Sequence, residues 1–391
     1  MWKGLALSAA ILAGGSAHAQ QGDPLRGAFG VVEAAMTPGE AFAQAELLVS
    51  ALSALPPERK GVTDTYILAA SLWNDPVFES EAREAAAILG RHFDAGDRTI
   101  VLSAGTGGTQ RAYAAATPNN IQAAIGKIGK TINPAEDLVV VFLTSHGSPD
   151  GSVAMQEKNR LGGALRAQHL RASLAQAGVR SKVVIVSACF AGHFILPFSD
   201  PDTLVLTAAA ADKQSFGCEP SRDWTYFGDA LFNHALRGGA GLVEAYDASL
   251  GLIAKWEGDL LRAWEAKPAS QRAADPRPEP SNPQKGVGDR AALVVAKAEQ
   301  YGMSVNCAGH LAFALDRARS GRPLKGLADP AALQAAKLVA ETRAQSLAGP
   351  LQRTPQDVAR SISSASASVL KAFSGQADVV TASAGRCAGA G

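Results

Sequence analysis

The 391-residue sequence is poor in cysteine, in net charge and in long hydrophobic segments. Its four cysteines are too few for a disulfide scaffold, so the core must come from ordinary burial of apolar side chains. The formal net charge is +1 and basic residues do not cluster, so nucleic acid is not an expected partner. No Cys-x-x-Cys or His-x-x-x-His pairing is present, and neither a metal nor another cofactor is expected.

The N-terminus has the features of a secretory signal peptide. A basic residue, Lys3, is followed by an apolar stretch to Gly15 and by Ala17-His18-Ala19, a small-residue cleavage site. The apolar stretch is too short for a transmembrane anchor, and no later segment could span a membrane, so stable membrane insertion is not expected. The sequence predicts export to the periplasm or the medium, with cleavage after Ala19, into a compartment that permits disulfides.

The rest of the chain predicts an α/β domain between two helical regions. Thr37-Pro38-Gly39-Glu40 has the pattern of a helix N-terminus with a capping box. Short β-branched runs then alternate with helical patterns, which predicts a three-layer sandwich with a mainly parallel sheet. The predicted strands are 64–70, 98–103, 137–145, 182–188 and 203–209, and the helices between and after them are 79–92, 117–130, 166–177 and 227–235.

A segment rich in proline and charge, 267–288, marks the end of this domain. Alanine-rich helical patterns follow at 289–301, 308–320, 330–348 and 355–373, and a small-residue tail ends the chain. The predicted organisation is a signal peptide at 1–19, a helical N-terminal segment at 20–60, the α/β domain at 61–290 and a helical C-terminal region at 291–391.

The candidate catalytic residues directly follow two of the predicted strands. The run 137–145 leads directly into His146-Gly147, and the run 182–188 leads directly into Cys189. Parallel strands end at one edge of the sheet, so both side chains should meet at a crevice there. Alone, Cys189 is as well explained as a buried structural thiol and His146 as a packing residue, but together they are a nucleophile and its acid/base partner.

The backbone around these residues supports the same chemistry. The N–H groups of Gly147 and Cys189 are placed to hold an oxyanion. Because the chain after Cys189 turns toward a helix, we expect the helix N-terminus to favour the thiolate form of that cysteine.

Two segments resemble the legumain-like cysteine peptidases of the caspase-like clan, in particular their bacterial exported branch: Thr-Ser-His-Gly-Ser at 144–148 and Val-Ser-Ala-Cys-Phe-Ala-Gly at 186–192. Segments 207–218 and 225–228 match the same pattern. The resemblance extends from about residue 66 to 288. It implies a caspase-like α/β fold and peptide-bond hydrolysis, with Cys189 as nucleophile and His146 as general acid/base.

In that family a polar residue after the first strand orients the histidine. Asp75, in Trp73-Asn74-Asp75-Pro76, is the positional match. The alternative is an ordinary turn-forming aspartate before proline.

The resemblance also bears on substrate preference. Asparagine-specific relatives have an Arg-His pair just after the orienting residue, whereas this chain has Val77-Phe78, which would form an apolar wall. Asp212 and Ser215 lie in the next loop of the pocket, and a desolvated Asp212 would select arginine or lysine. A solvated Asp212 beside Lys213 is the alternative, and both interpretations stay open at this point.

The remaining cysteines and the C-terminal helices have structural interpretations. Cys218 is best explained by packing. Cys307 and Cys387 bracket the helical C-terminal region, and a disulfide between them would close a loop of ~80 residues and stabilise it by about 4 kcal/mol. Some legumain relatives have a C-terminal helical prodomain over the active site, so residues 300–391 are either such a lid or a stabilising or docking domain.

The sequence therefore predicts an exported cysteine endopeptidase that acts on peptides or proteins, and it carries no indication of oligomeric state. Two alternatives stay open. One is a transpeptidase or transamidase that uses the same site but transfers the acyl group to an amine. The other is a catalytically silent binding or scaffold protein on the same fold.

Overall fold

The computed structural model describes residues 32–33, 36–106, 111–157, 160–374 and 376–389. The predicted signal peptide at 1–19 lies outside them. Within the described ranges, no helix is both long enough and apolar enough to cross a membrane.

Six strands form the central sheet, in the order β3-β2-β4-β7-β8-β9. All pair in parallel except β9, which is antiparallel to β8. The strands in chain order are β1 (Val32–Glu33), β2 (Thr65–Ser71), β3 (Thr99–Ser103), β4 (Leu138–Thr144), β5 (Val153–Glu157), β6 (Leu161–Leu165), β7 (Ser181–Ser187), β8 (Thr203–Thr207) and β9 (Gln284–Val287). The five predicted strands are present with small shifts at their ends.

Helices cover both faces of this sheet. The helices of the described residues, in chain order, are α1 (Pro38–Ser53), α2 (Pro76–His92), α3 (Pro118–Thr131), α4 (Ala167–Gln176), α5 (Tyr226–Gly228), α6 (Leu242–Glu265), α7 (Ala269–Arg272), α8 (Asp289–Ala298), α9 (Gln300–Arg319), α10 (Pro330–Ala348), α11 (Pro355–Phe373) and α12 (Ala377–Gly389). A π-helix, Asp229–Leu236, continues α5. Residues of α1, α3 and α4 pack on one face, and those of α2, α5, the π-helix, α6 and α8 on the other. The predicted three-layer α/β sandwich is confirmed.

Alternation along the strands explains why the sheet is buried on both sides. In β2, Tyr66 and Leu68 face one core while Ile67 and Ala69 face the other. Strands β2, β4 and β7 are buried at every position. The capping box predicted for α1 is also present, because Thr37 and Glu40 exchange hydrogen bonds at its N-terminus.

Strand β9, helix α6 and helix α12 are among the elements that differ from the sequence prediction. Strand β9 lies within 267–288, which had the composition of a domain boundary; antiparallel pairing with β8 gives this segment its extended form. The 24-residue helix α6 was not predicted. Helix α12 lies where a small-residue tail was expected, and it is held there by packing on α9 and by a disulfide.

A second, smaller sheet contains the two strands that follow His146 in the chain, β5 and β6, together with β1. Its order is β1-β6-β5, and all its pairs are antiparallel. The N–H of Ala154 in β5 donates to the carbonyl of His146 at 2.9 Å, and that of Gln156 donates to Leu72 at 2.7 Å. This small sheet therefore holds the loop that carries the histidine.

The C-terminal region is a bundle with its own core, formed by α9 to α12. The predicted disulfide between Cys307 and Cys387 is present and joins α9 to α12. Helix α8 instead packs Ala291 and Val295 on the central sheet. The core of the α/β domain therefore extends to Ala298, and the core of the bundle begins at Tyr301.

This bundle docks at the end of the sheet where the parallel strands begin. Arg353 forms an ion pair with Asp94 at 3.0 Å, and the carbonyl of Leu351 accepts from Arg59 at 2.7 Å. Arg59 precedes β2 and Asp94 follows α2, whereas His146 and Cys189 follow the opposite ends of their strands. The 17-residue α2 separates the two ends by about 25 Å. In the part of the chain that the structure describes, the bundle therefore does not cover the sheet edge that carries His146 and Cys189.

The disulfide should stabilise the bundle measurably. In the double variant Cys307→Ser, Cys387→Ser we expect a loss of about 4 kcal/mol in the free energy of unfolding, because the unfolded chain regains the entropy of the closed loop. Urea unfolding followed by far-UV circular dichroism measures it. Tryptophan fluorescence serves as the internal control, since all five tryptophans precede residue 300. An unchanged circular dichroism transition would contradict the prediction.

Candidate active site

Strand register places the histidine and the cysteine at the same edge of the sheet. Thr144 at the end of β4 pairs with Ser187 at the end of β7, and the N–H of Ser145 donates to the carbonyl of Ser187 at 3.1 Å. His146 and Cys189 each follow their paired residue by two positions. The common edge predicted from the sequence is therefore the edge at which both side chains lie.

Gly147 lies directly against the backbone of Cys189. A Cβ at position 147 would overlap the carbonyl oxygen of Cys189, so only glycine allows this approach. The two N–H groups predicted to hold an oxyanion, those of Gly147 and Cys189, therefore lie on backbone segments that are in direct contact.

Burial holds Cys189 in the thiol form. Desolvation raises the pKa of the Cys189 thiol, and hydrogen bonds from the N–H groups of Ser215, Gly147 and Cys189 oppose the rise without cancelling it. The expected thiolate-favouring helix is not formed: Phe190 has a left-handed backbone (φ 58°), and the helix that directly follows it is the four-residue 3-10 helix Ala191–Phe194. The prediction of a lowered pKa is wrong, since one short turn aligns too few peptide dipoles to offset burial.

His146 is framed by one carboxylate and two aromatic rings. Its Nε2 lies 3.4 Å from Oδ2 of Asp75. The rings of Trp73 and Phe78 meet the imidazole edge-on, with centroids 5.1 and 5.0 Å away. Asp75 therefore contacts the Nε2 atom of the imidazole and not its Nδ1 atom. Trp73 was not predicted, although it stands two residues before Asp75.

Asp75 also occupies the N-cap position of α2. Its backbone is extended, as in an N-cap, yet among the described residues its side chain makes no capping hydrogen bond. An N-cap side chain usually stabilises its helix by about 1 kcal/mol. The carboxylate is directed at His146 instead, which favours the orienting role over that of a plain turn residue.

Val77 and Phe78 do not line a substrate pocket. Both side chains are fully buried, because α2 begins at Pro76 and turns these two residues inward. The apolar wall expected from the sequence is therefore absent at these positions. Instead, the ring of Phe78 packs edge-on against the imidazole of His146.

The two loop residues predicted for the pocket lie in different environments. The N–H of Ser215 donates to the sulfur of Cys189 at 3.3 Å, so this residue is part of the site through its backbone. The side chain of Asp212 is 78% exposed and lies 3.7 Å from Lys213. The solvated alternative therefore describes Asp212, and a desolvated acidic pocket at this residue is not formed.

Glu81 is a buried carboxylate beneath the site that sequence reasoning missed. It accepts hydrogen bonds from Thr144, Ser187 and Thr225. The indication of such a residue in the sequence is that the strands leading to His146 and Cys189 end in hydroxyl residues. Cys218, a free thiol, has its pKa raised by desolvation and by the nearby Cys189 and Glu81. Within the described ranges, no cluster of three His, Cys, Asp or Glu side chains could hold a metal ion.

A thiol, an imidazole beside a carboxylate, and backbone N–H groups lie at one sheet edge, and these are the groups that a cysteine-dependent hydrolase requires. Residues 104–241 match the model of the Peptidase C13 family, and this segment contains His146, Gly147 and Cys189. This segment is thus similar to the peptidases of that family, as the resemblance of its motifs implied.

Other comparisons are more distant. Among solved structures, the caspase-1 from Spodoptera frugiperda matches with 13% sequence identity and a TM-score of 0.39, over 60% of this chain and 89% of that chain. A search of curated proteins found no significant match.

The raised pKa of Cys189 predicts slow alkylation at neutral pH. Because the thiolate is the reactive form, the rate with iodoacetamide should rise with pH and level off only above the ordinary pKa of a free cysteine. The Cys218→Ser variant isolates the reaction at Cys189, and Cys189→Ser gives the background. A rate that is already maximal at neutral pH would show a thiolate and contradict the prediction.

Proposed function

We propose that this protein is an exported cysteine endopeptidase that cleaves peptide bonds with Cys189 as nucleophile and His146 as general acid/base. The observation that carries the proposal is the pairing of Thr144 with Ser187, which brings both side chains to one edge within the region matched by the peptidase family. Peptides or proteins are the corresponding substrates.

In the proposed mechanism, Cys189 attacks the scissile carbonyl as its proton moves to His146, since the resting thiol is protonated. A C–S bond forms, and the N–H groups of Gly147 and Cys189 hold the oxyanion. His146 then gives the proton to the departing amine as the C–N bond breaks. Water hydrolyses the thioester and restores the thiol. Asp75, 3.4 Å from Nε2, stabilises the imidazolium and fixes its orientation.

The central test is cleavage of a peptide library by wild type, Cys189→Ala and His146→Ala. We expect hydrolysis by the wild type in the presence of reductant, and a loss of at least about 10³-fold in either variant, because nucleophile and base act as a unit. A thiol-reactive peptide probe should label wild type and Cys218→Ser but not Cys189→Ala.

The same experiment separates the alternatives. With an added amine, a transpeptidase would give the amide product in place of the free acid. No cleavage and no probe labelling of the folded wild type would leave the scaffold protein as the better explanation.

Export rests on the first 19 residues and has its own test. When the full chain is produced in a bacterium, we expect the mature protein outside the cytoplasm with Gln20 as its first residue, as cell fractionation and N-terminal sequencing would report. Replacing Leu7 and Leu12 by Asp should hold it in the cytoplasm, because the apolar segment is what the export machinery binds. An uncleaved cytoplasmic wild-type protein would contradict export.

A further inference from the structure

Four parallel strands end in hydroxyl side chains that form one row. Ser71 of β2 pairs with Ser103 of β3 and with Thr144 of β4, and Thr144 pairs with Ser187 of β7. All four are buried. They lie on the same face of the sheet as the strand residues that face α2. Thr144, for example, follows Phe142 by two positions, so the row lies beneath that helix. A buried row of hydroxyl groups needs acceptors.

Glu81, on α2, accepts from the part of the row that lies next to the catalytic residues. Its carboxylate contacts the hydroxyls of Thr144, of Ser187 at 3.4 Å and of Thr225 at 2.6 Å. The carboxyl group is fully buried, and desolvation raises its pKa to about 7. A buried carboxyl group without hydrogen bonds destabilises the folded protein. The three hydrogen bonds of Glu81 offset this effect.

Each of the three hydroxyls belongs to a different segment of the active site. Thr144 precedes His146 by two residues, and Ser187 precedes Cys189 by two. Thr225 precedes Tyr226, whose N–H donates to the carbonyl of Phe216 at 3.0 Å, next to Ser215. A single carboxyl group thus joins the histidine strand, the cysteine strand and the loop that contacts the sulfur.

The packing around Glu81 leaves it little freedom to move. A Cβ on Gly228 would overlap its Oε1 atom, so the backbone of α5 closes directly on the carboxyl group. Thr225 also accepts from the N–H of Gly228 at 3.1 Å and lies 3.0 Å from the hydroxyl of Ser187. Glu81, Ser187 and Thr225 therefore all contact one another, so a shift of the Glu81 carboxyl group would also shift the strand ends.

We propose that Glu81 is a positioning residue of the peptidase site, which fixes the relative placement of His146, Cys189 and the Ser215 loop through Thr144, Ser187 and Thr225. This inference rests on the proposed peptidase function. Glu81 touches no reacting atom and acts only through the three hydroxyl residues.

Glu79 is the matched control. It lies on the same helix and accepts from Ser103 of the same row at 2.5 Å, and Ser103 lies 3.0 Å from Ser71. Neither β3 nor β2 ends in His146 or Cys189. Replacing Glu79, which is half-buried, therefore disturbs a single carboxyl–hydroxyl contact on the same helix, away from the strands that lead to His146 and Cys189.

The test compares Glu81→Gln, Thr144→Val and Glu79→Gln by peptide hydrolysis. We expect kcat to fall at least about tenfold in the first two with KM nearly unchanged, since misplacement of reacting groups by less than 1 Å is enough for this. Glu79→Gln should stay within about twofold of the wild type. The double variant Glu81→Gln, Thr144→Val should lose little more than either single variant, because both break one network.

The alkylation rate of Cys189 by iodoacetamide, measured in a Cys218→Ser background, gives a readout that needs no peptidase activity. It should change in Glu81→Gln and Thr144→Val but not in Glu79→Gln. If the wild type cleaves no peptide, the proposed function fails and these rates still decide the role of Glu81. Lower thermal stability with unchanged kcat and unchanged alkylation would make Glu81 merely structural and overturn the proposal. If Glu81→Gln does not fold, Thr144→Val decides alone.

Discussion

The register between β4 and β7 is the constraint on which the active site depends. Side chains alternate between faces, so a slip of one residue would move every side chain of a strand to the opposite face. Such a slip is prohibitive here because both strands are buried at every position. The pairing of Thr144 with Ser187 consequently fixes where the chain leaves the sheet. The close approach of Gly147 to Cys189 is possible only in that register.

Helix α2 connects the site to the rest of the molecule. At its N-terminus Asp75 faces His146, and within its first turns Glu81 reaches the strand ends. Beyond its C-terminus, Asp94 binds Arg353 of the helical bundle. A Cβ on Gly302 of the bundle would overlap the carbonyl oxygen of His92, so the contact there is close. The bundle therefore supports the helix that carries Asp75 and Glu81, and it does so from the end farthest from His146.

Features that depend on local pattern were predictable from the sequence, and features that depend on tertiary contacts were not. The β-branched runs before His146 and Cys189 predicted two parallel strands and a common edge, and the Thr37 and Glu40 pattern predicted a capping box. By contrast, the sequence predicts a pocket wall at Val77 and Phe78, which is wrong. The direction of these two side chains depends on the residue at which α2 begins, and the local pattern does not give that residue. The raised pKa of Cys189 comes from burial by distant segments. Nothing in the local sequence around Glu81 distinguishes it from a solvent-exposed helix residue.

The protonated thiol has a chemical consequence for the proposed function. A thiolate reacts with oxidants as readily as with substrates, so a low pKa exposes a cysteine to oxidation. In an oxidising compartment, a thiol that desolvation keeps protonated is better protected between turnovers. Attack then requires that the proton leave as the C–S bond forms. In the proposed mechanism His146 accepts this proton, and Asp75, 3.4 Å from its Nε2 atom, stabilises the resulting imidazolium.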